Sequence, residues 1–256
     1  MGLFGKIFEK KECSICGGEI GLLGNRKLED GNLCKECAAK LSPWFSDRRN
    51  STVTEIQEQL AYREDNKRAV EAFHTTCSFG RNTKILIDED AKKFMVTSAG
   101  NLKDANPDVL DFSQVTGCDL DIEEDRSEEK REDAEGNSVS YNPPRFCYSY
   151  DFKLIIRVNH PYFDTMSFQL NPSGVEINPD NATSNPPNPR LNQDYKEYEA
   201  MGKEIKEILT RARQQAREEK ETAAKPKTAV QCPCCGATTI PDANGHCEYC
   251  GGAVQG

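Results

Sequence analysis

Hydrophobic and polar residues alternate through the middle of this chain at the period of a β-strand. Phe152, Leu154, Ile156 and Val158 stand two apart, as do Met166, Phe168 and Leu170, and Cys118, Leu120 and Ile122. Alternation of this kind predicts antiparallel strands with one buried face. Residues 84–88 and 93–96 flank Glu89-Asp90 and predict a hairpin, and 109–112 adds a further strand. His160-Pro161 marks the turn between the last two strands, which leaves His160 exposed. On either side of this region the period becomes helical. Thr52-Val-Thr-Glu55 is a capping box, and Val53, Ile56, Leu60, Val70 and Phe73 recur at helical spacing over 52–73. The polar run 63–68 places this helix on a surface or between two modules. A longer helix is expected over about 193–219, with Tyr195, Tyr198, Ile205, Leu209, Ala212 and Ala216 on one stripe. Its apolar content falls after Leu209, so its first half is the packed half.

The breaks in this pattern define the organisation. Residues 123–135 hold eight acidic and three basic residues and read as a solvated strand extension or loop, or else as a docking site for a basic partner or cation. The Pro- and Asn-rich stretch 178–192 is a loop, and 220–230 is a linker. At the start, Leu3, Phe4, Ile7 and Phe8 form one helical face, read as a segment that packs on the neighbouring module or, alternatively, as a membrane-surface helix.

Cysteine placement carries the chemistry. Cys13 and Cys16 face Cys34 and Cys37 near one end, and Cys232 and Cys235 face Cys247 and Cys250 near the other. A C-x2-C turn aims two thiolates at one centre, and two such turns complete the tetrahedron that Zn2+ accepts. Two zinc ions per chain are therefore expected, both structural, because four protein ligands leave no position for water or substrate. In the first set, glycines follow Cys16, a hairpin is expected over 20–33, and Cys34 and Cys37 open a helix that Pro43 ends. Trp44-Phe45 is then an apolar pair covering the module, which reads as a treble clef over 12–45. The second set, 231–253, is a zinc ribbon of two knuckles.

Composition narrows the function classes. The chain of 256 residues has 33 Lys+Arg against 42 Asp+Glu and a net charge of -9, which argues against a general polyanion binder. No stretch approaches the roughly 18–20 apolar residues of a membrane span, and no secretory signal is seen at the N-terminus. Eight of the 12 cysteines fall in C-x2-C pairs, so zinc in a reducing cytoplasm is expected rather than a disulfide framework. The sequon at Asn181 then marks only a polar loop. Cys77, Cys118 and Cys147 read as core residues. His74 and Cys77 form the one conceivable Cys/His dyad; His246 adjoins Cys247 but the four-cysteine set is complete without it. No phosphate-binding loop, nucleophile elbow or zinc-protease motif occurs.

Cys13-x2-Cys16-Gly-Gly-Glu-Ile-Gly, Asp30-Gly, Leu33-Cys34-x2-Cys37 and Leu41-Ser-Pro-Trp-Phe45 together resemble a bacterial domain of unknown function, number 4428. The resemblance covers about 12–50 and implies a bacterial cytoplasmic protein with a zinc module, and no activity. The strands followed by one long helix over 76–219 resemble a pleckstrin-homology-type domain. That resemblance implies an α+β chain whose antiparallel barrel or sandwich is closed by the helix, with lipids, peptides or proteins as ligands. The expected function is a non-catalytic zinc-binding adaptor that holds protein partners, with no small-molecule substrate. The alternatives are nucleic-acid binding, through Arg26, Lys27, Lys35, Lys40, Arg48 and Arg49 with Trp44 and Phe45 as stacking residues, and membrane association through residues 1–11 and the pleckstrin-like domain.

Overall fold

The computed structural model describes residues 11–177, 186–224, 229–242 and 245–254. The face formed by Leu3, Phe4, Ile7 and Phe8, the sequon at Asn181, residues 178–185 of the Pro/Asn-rich loop, 225–228 of the linker and the Ala216 side chain lie outside this description. The chain divides into two compact units, Met1–Arg213 and Gln214–Gly256.

The first unit opens with short pairs: β1 (Lys11–Glu12) with β2 (Glu19–Ile20), and β3 (Arg26–Lys27) with β4 (Asn32–Leu33). One helical turn follows, α1 (Lys35–Ala38), and then α2 (Val53–Ala72). Thr52 caps α2 in a full capping box: its hydroxyl accepts from Glu55 N–H, and the Glu55 carboxylate accepts from Thr52 N–H. Two antiparallel sheets come next. The first is β5 (Cys77–Gly80), β6 (Lys84–Asp88), β7 (Lys93–Thr97) and, after the short helix α3 (Leu102–Ala105), β8 (Leu110–Asp111), in that spatial order. The second is built on β9 (Val115–Glu132) and β10 (Ser138–Val158), with β11 (Thr165–Gln169) and β12 (Val175–Ile177) on the far edge of β10. The long helix α4 (Gln193–Ala224) closes the set and runs on through 220–224.

The architecture is α+β, and among the described residues no ladder joins the two sheets, so of the expected barrel or sandwich the closed barrel is not formed. Closure fails at both edges: β8 is only two residues long, and β9 is paired on one side alone. Both sheets nevertheless share one core, in which Ile85, Phe94 and Leu110 of the first meet Phe152, Leu154 and Met166 of the second. α4 completes this core with Tyr195, Tyr198, Ile205, Leu209 and Ala212. Tyr195 stacks edge-on to Phe152 at 5.0 Å, and Gly202 lets the helix approach closely, since a Cβ there would stand 2.5 Å from Leu120 Cδ1. On the other sheet, Gly80 N–H meets the Met201 sulfur at 3.3 Å.

Residues 123–132 of the acidic run become the outer half of β9, paired through to Glu132 with β10, and 133–135 enter the turn that follows. The sequence pattern shows none of 138–147 as strand, because Pro143 and Pro144 interrupt it. The ladder accommodates them by a register jump: Lys130 faces Ser140 while Glu129 faces Arg145, so residues 141–144 bulge out of the pairing. Charged side chains along this one-sided strand suit an edge that must not recruit further strands.

The buried face of α2 departs most from expectation. Its buried residues are Ile56, Gln59, Arg63, Asn66 and Val70, so three of five are polar. Each polar one reaches across to another element. Gln59 accepts from Ser42 N–H at 3.2 Å. Arg63 pairs with Asp108 at 2.7 Å, with side-chain exposures of 6% and 0%, and also donates to the carbonyls of Lys40 and Asn106. Asn66 donates to Pro107 O at 2.8 Å and accepts from Val109 N–H at 3.0 Å. Ser42 Oγ donates to the second Asp108 oxygen at 2.8 Å. This network locks the cysteine-bearing module, α2 and the segment entering β8 together. Arg63→Ala is expected to cost about 3–5 kcal/mol, because it leaves Asp108 buried and unpaired. Asp108→Ala should cost a similar amount, and the double variant less than the sum of the two, measured by urea unfolding of the full chain. A loss under about 1 kcal/mol for either single variant would contradict this role.

Candidate metal centres

The first centre combines a knuckle and a helical turn. Cys13 follows β1, and its N–H donates to Gly18 O at 2.9 Å while Gly17 N–H donates back to Cys13 O at 2.8 Å. Gly17 has φ of 70°, a left-handed conformation that only glycine adopts at no steric cost. The opposing pair comes from α1: Cys34 is its N-cap, with Sγ accepting from Cys37 N–H at 3.3 Å. Cys34 N–H in turn donates to Cys13 Sγ at 3.3 Å. The helix is shorter than the sequence suggests, ending at Ala38 rather than at Pro43. A small core of Ile20, Leu28, Leu33, Leu41 and Ile56 backs the site. Ile56 belongs to α2, so the first turns of that helix are part of the module's packing.

The second centre repeats the knuckle twice. Cys232 N–H donates to Ala237 O at 2.8 Å and Gly236 N–H to Cys232 O at 2.8 Å; Cys247 N–H donates to Gly252 O at 2.9 Å and Gly251 N–H to Cys247 O at 2.8 Å. Gly236 and Gly251 have φ of 74° and 69°. β13 (Val230–Gln231) pairs with β14 (Thr238–Thr239), and His246 bridges to Ala253. This core is very small, with Cys232, Cys247 and Val254 buried.

Both quartets fit a tetrahedral metal. Within each set the four ligand atoms lie within 4.8 Å of one another. A tetrahedron with bonds of about 2.3 Å has sulfur–sulfur edges of about 3.8 Å. The observed separations are 3.8 Å for Cys16–Cys34, 3.6 Å for Cys232–Cys250 and 3.8 Å for Cys235–Cys247. These are edges of a ligand polyhedron: far too long for a disulfide of about 2.05 Å, and repeated across both sites. Each cluster can hold one zinc ion, giving two per chain.

The thiol electrostatics favour the same occupant. Burial opposes ionisation of Cys13, but the backbone N–H groups of Cys16, Cys34 and Ile15 outweigh it and hold the thiol down at about 6. Backbone N–H from Cys235 does the same for Cys232, also at about 6. Burial pushes Cys37 well up. At Cys250 a backbone N–H from Gly252 favours the thiolate, yet the bonds to Cys235 and Cys232 raise it to about 12. Four sulfurs this close do not all ionise unaided; a dication between them removes the conflict.

The other sequence candidates fall elsewhere. His246 stays out of the cluster and its N–H donates to Asp242 Oδ1 at 2.8 Å. Cys234 is exposed and is not among the four clustered ligands. His74 is exposed, with its backbone N–H donating to Asp88. Burial pushes the Cys77 thiol up, the opposite of what a nucleophile needs. His160 is not exposed as expected: it is half-buried, stacked on Phe163 at 4.1 Å and edge-on to Tyr62 at 5.0 Å, and burial lowers its pKa. Cys118 lies in the main core, whereas Cys147 is half-buried on the strand face opposite Phe146 and Tyr148. Trp44 and Phe45 do not act as a pair: Trp44 packs on the two-sheet core and Phe45 on the module's own core.

Metal analysis of the full chain should return two Zn2+ per molecule, falling to about one in Cys16→Ser and about one in Cys235→Ser, each loss confined to its own module. Reduced protein free of metal would contradict both assignments. Among known proteins, residues 11–59 match the family described as Domain of unknown function (DUF4428), a span that holds the whole first quartet and ends within α2 beyond Ile56. No curated protein and no solved structure matches the chain.

Proposed function

We propose that the protein is a non-catalytic, zinc-stabilised adaptor that holds protein partners in the cytoplasm. The observation that carries this reading is the pairing of closed metal centres with an open cleft elsewhere. Four cysteines per ion leave no coordination position for a substrate. A cleft of about 630 Å3 lies where the 38–44 segment meets the end of β7 and β11, with Pro43, Trp44, Ser98, Ser167 and Phe168 in its walls. Such a mixture of apolar and polar lining residues suits a peptide segment of a partner. Its walls are held in place by the Arg63–Asp108 network, so the surface is preorganised. The pleckstrin-homology-like reading of 76–219 is supported by two antiparallel sheets and a long helix sharing one core. It adds that this central region is the interaction platform.

The test is affinity capture with the full-length, zinc-loaded chain. A protein recovered at stoichiometric level should be lost with Ser98→Arg/Ser167→Arg, which fills the cleft from two exposed positions, while both zinc ions remain. Capture unaffected by the double variant would place the platform elsewhere; failure to recover any stoichiometric protein would remove the adaptor reading.

A further inference from the structure

Among the described residues, large apolar side chains stand side by side and fully displayed at one place. Leu22 and Leu23 are 81% and 89% exposed. They are the central residues of a tight turn closed by Gly24 N–H donating to Gly21 O at 2.9 Å. The turn is firmly based. Ile20, just before it, is buried in the module core, and Asn25, just after it, donates to Asn32 at 2.8 Å. Central turn positions ordinarily carry Gly, Asn, Asp, Pro or Ser; two leucines there serve neither the turn nor the core.

Cations gather at the foot of this turn. Arg26 Nη1 reaches Leu23 O at 3.5 Å, and Arg48 Nη1 donates to Lys27 O at 2.5 Å. Arg49 and Arg26 both lie close enough to Arg48 to repel its charge. Of the acids around the module, Asp30 accepts from Val53 N–H at 2.8 Å and Asp47 from Asn50 at 2.6 Å. Glu12 and Glu19 face each other one ladder pair further from the turn. In a chain of net charge -9, the flanking segments 24–30 and 47–50 carry four basic residues against three acidic ones, Glu29 among them.

The geometry points to a membrane-docking tip: Leu22 and Leu23 enter the interfacial layer of an anionic bilayer while Arg26, Lys27, Arg48 and Arg49 engage its headgroups. A bilayer is favoured over a protein partner by the shape. Two side chains on a convex turn offer far less than the roughly 1,000 Å2 of a specific protein interface, whereas a lipid surface needs no complementary groove. Anionic headgroups complement the cationic foot, and attraction of this kind accumulates with each basic side chain. With only two leucines inserted, attachment is reversible and needs both apolar and charged contributions. This site is separate from the cleft of the adaptor reading and does not depend on it.

The test is co-sedimentation of the full-length, zinc-loaded protein with vesicles of phosphatidylcholine alone or mixed with phosphatidylserine. Binding is expected to the mixed vesicles and to weaken with added salt. Leu22→Asp/Leu23→Asp and, separately, Arg48→Glu/Arg49→Glu should each reduce the bound fraction by about tenfold or more, with both zinc ions retained. The proposal is overturned if the wild-type chain does not sediment with the anionic vesicles. It is equally overturned if the leucine variant binds as well as wild type, whether because deletion of residues 1–10 alone abolishes binding or because the leucines serve only a contact with a second copy, seen as a dimer that the variant converts to monomer.

Discussion

The buried pair of Arg63 and Asp108 ties this fold together. Neither residue lies in a metal centre or in the main apolar core, yet both are removed from water, and their remaining hydrogen-bonding capacity is taken up by Ser42, Tyr62, Lys40 and Asn106. Burying two charges is unfavourable unless geometry and additional hydrogen bonds compensate. Here those bonds come from three segments distant in sequence, the end of the cysteine module, α2 and the approach to β8. An apolar α2 could pack in several registers on either neighbour; a guanidinium that needs several named acceptors fits one arrangement. A small metal module is thereby joined to a two-sheet domain through α2 and through the direct Ser42–Asp108 bond.

The metal centres follow from the same shortage of apolar material. The ribbon's buried core amounts to Cys232, Cys247 and Val254, and the N-terminal module has only a handful of aliphatic residues besides its cysteines. Cores this small do not offset the conformational entropy of ordering their loops. Four thiolates on a dication do, and this is why metal binding and folding are coupled in such modules. The three knuckles share one hydrogen-bond pattern and one left-handed glycine. The fourth pair, at the start of α1, differs: Cys34 caps a helical turn, its Sγ accepting from Cys37 N–H.

Main-core packing obeys a different constraint. β10 runs through the second sheet as its central strand, and α4 lies against both sheets with Gly202 at the closest approach. The helix supplies the apolar surface that an unclosed pair of sheets would otherwise leave wet. Past Ile122, β9 carries charge while the paired β10 still sends Tyr150, Tyr148 and Phe146 to the core, so the ladder becomes a solvated ribbon only beyond Phe146.

Much of this is legible without coordinates. Period-two alternation located β11 and the inner parts of β9 and β10, apolar runs flanking Glu89-Asp90 located β6 and β7, the capping box located α2, and the C-x2-C spacing located both metal quartets, because those signals reside in residues close along the chain. Val175–Ile177, Cys77–Gly80 and residues 138–147 were not visible as strands, since their pairing partners rather than their own patterns make them so. The burial of Gln59, Arg63 and Asn66 was hidden for a related reason: polarity reads as exposure until the acceptors that satisfy it are brought near. The separate destinations of Trp44 and Phe45, the half-burial of His160, the open barrel and the cationic foot beneath Leu22 and Leu23 are likewise products of long-range packing. Local spacing thus determined the elements and the chemistry of the sulfur sites. Which polar residues are buried, and which apolar ones are left in water, was decided only when distant segments came into contact, because burial is a property of neighbours and not of the residue itself.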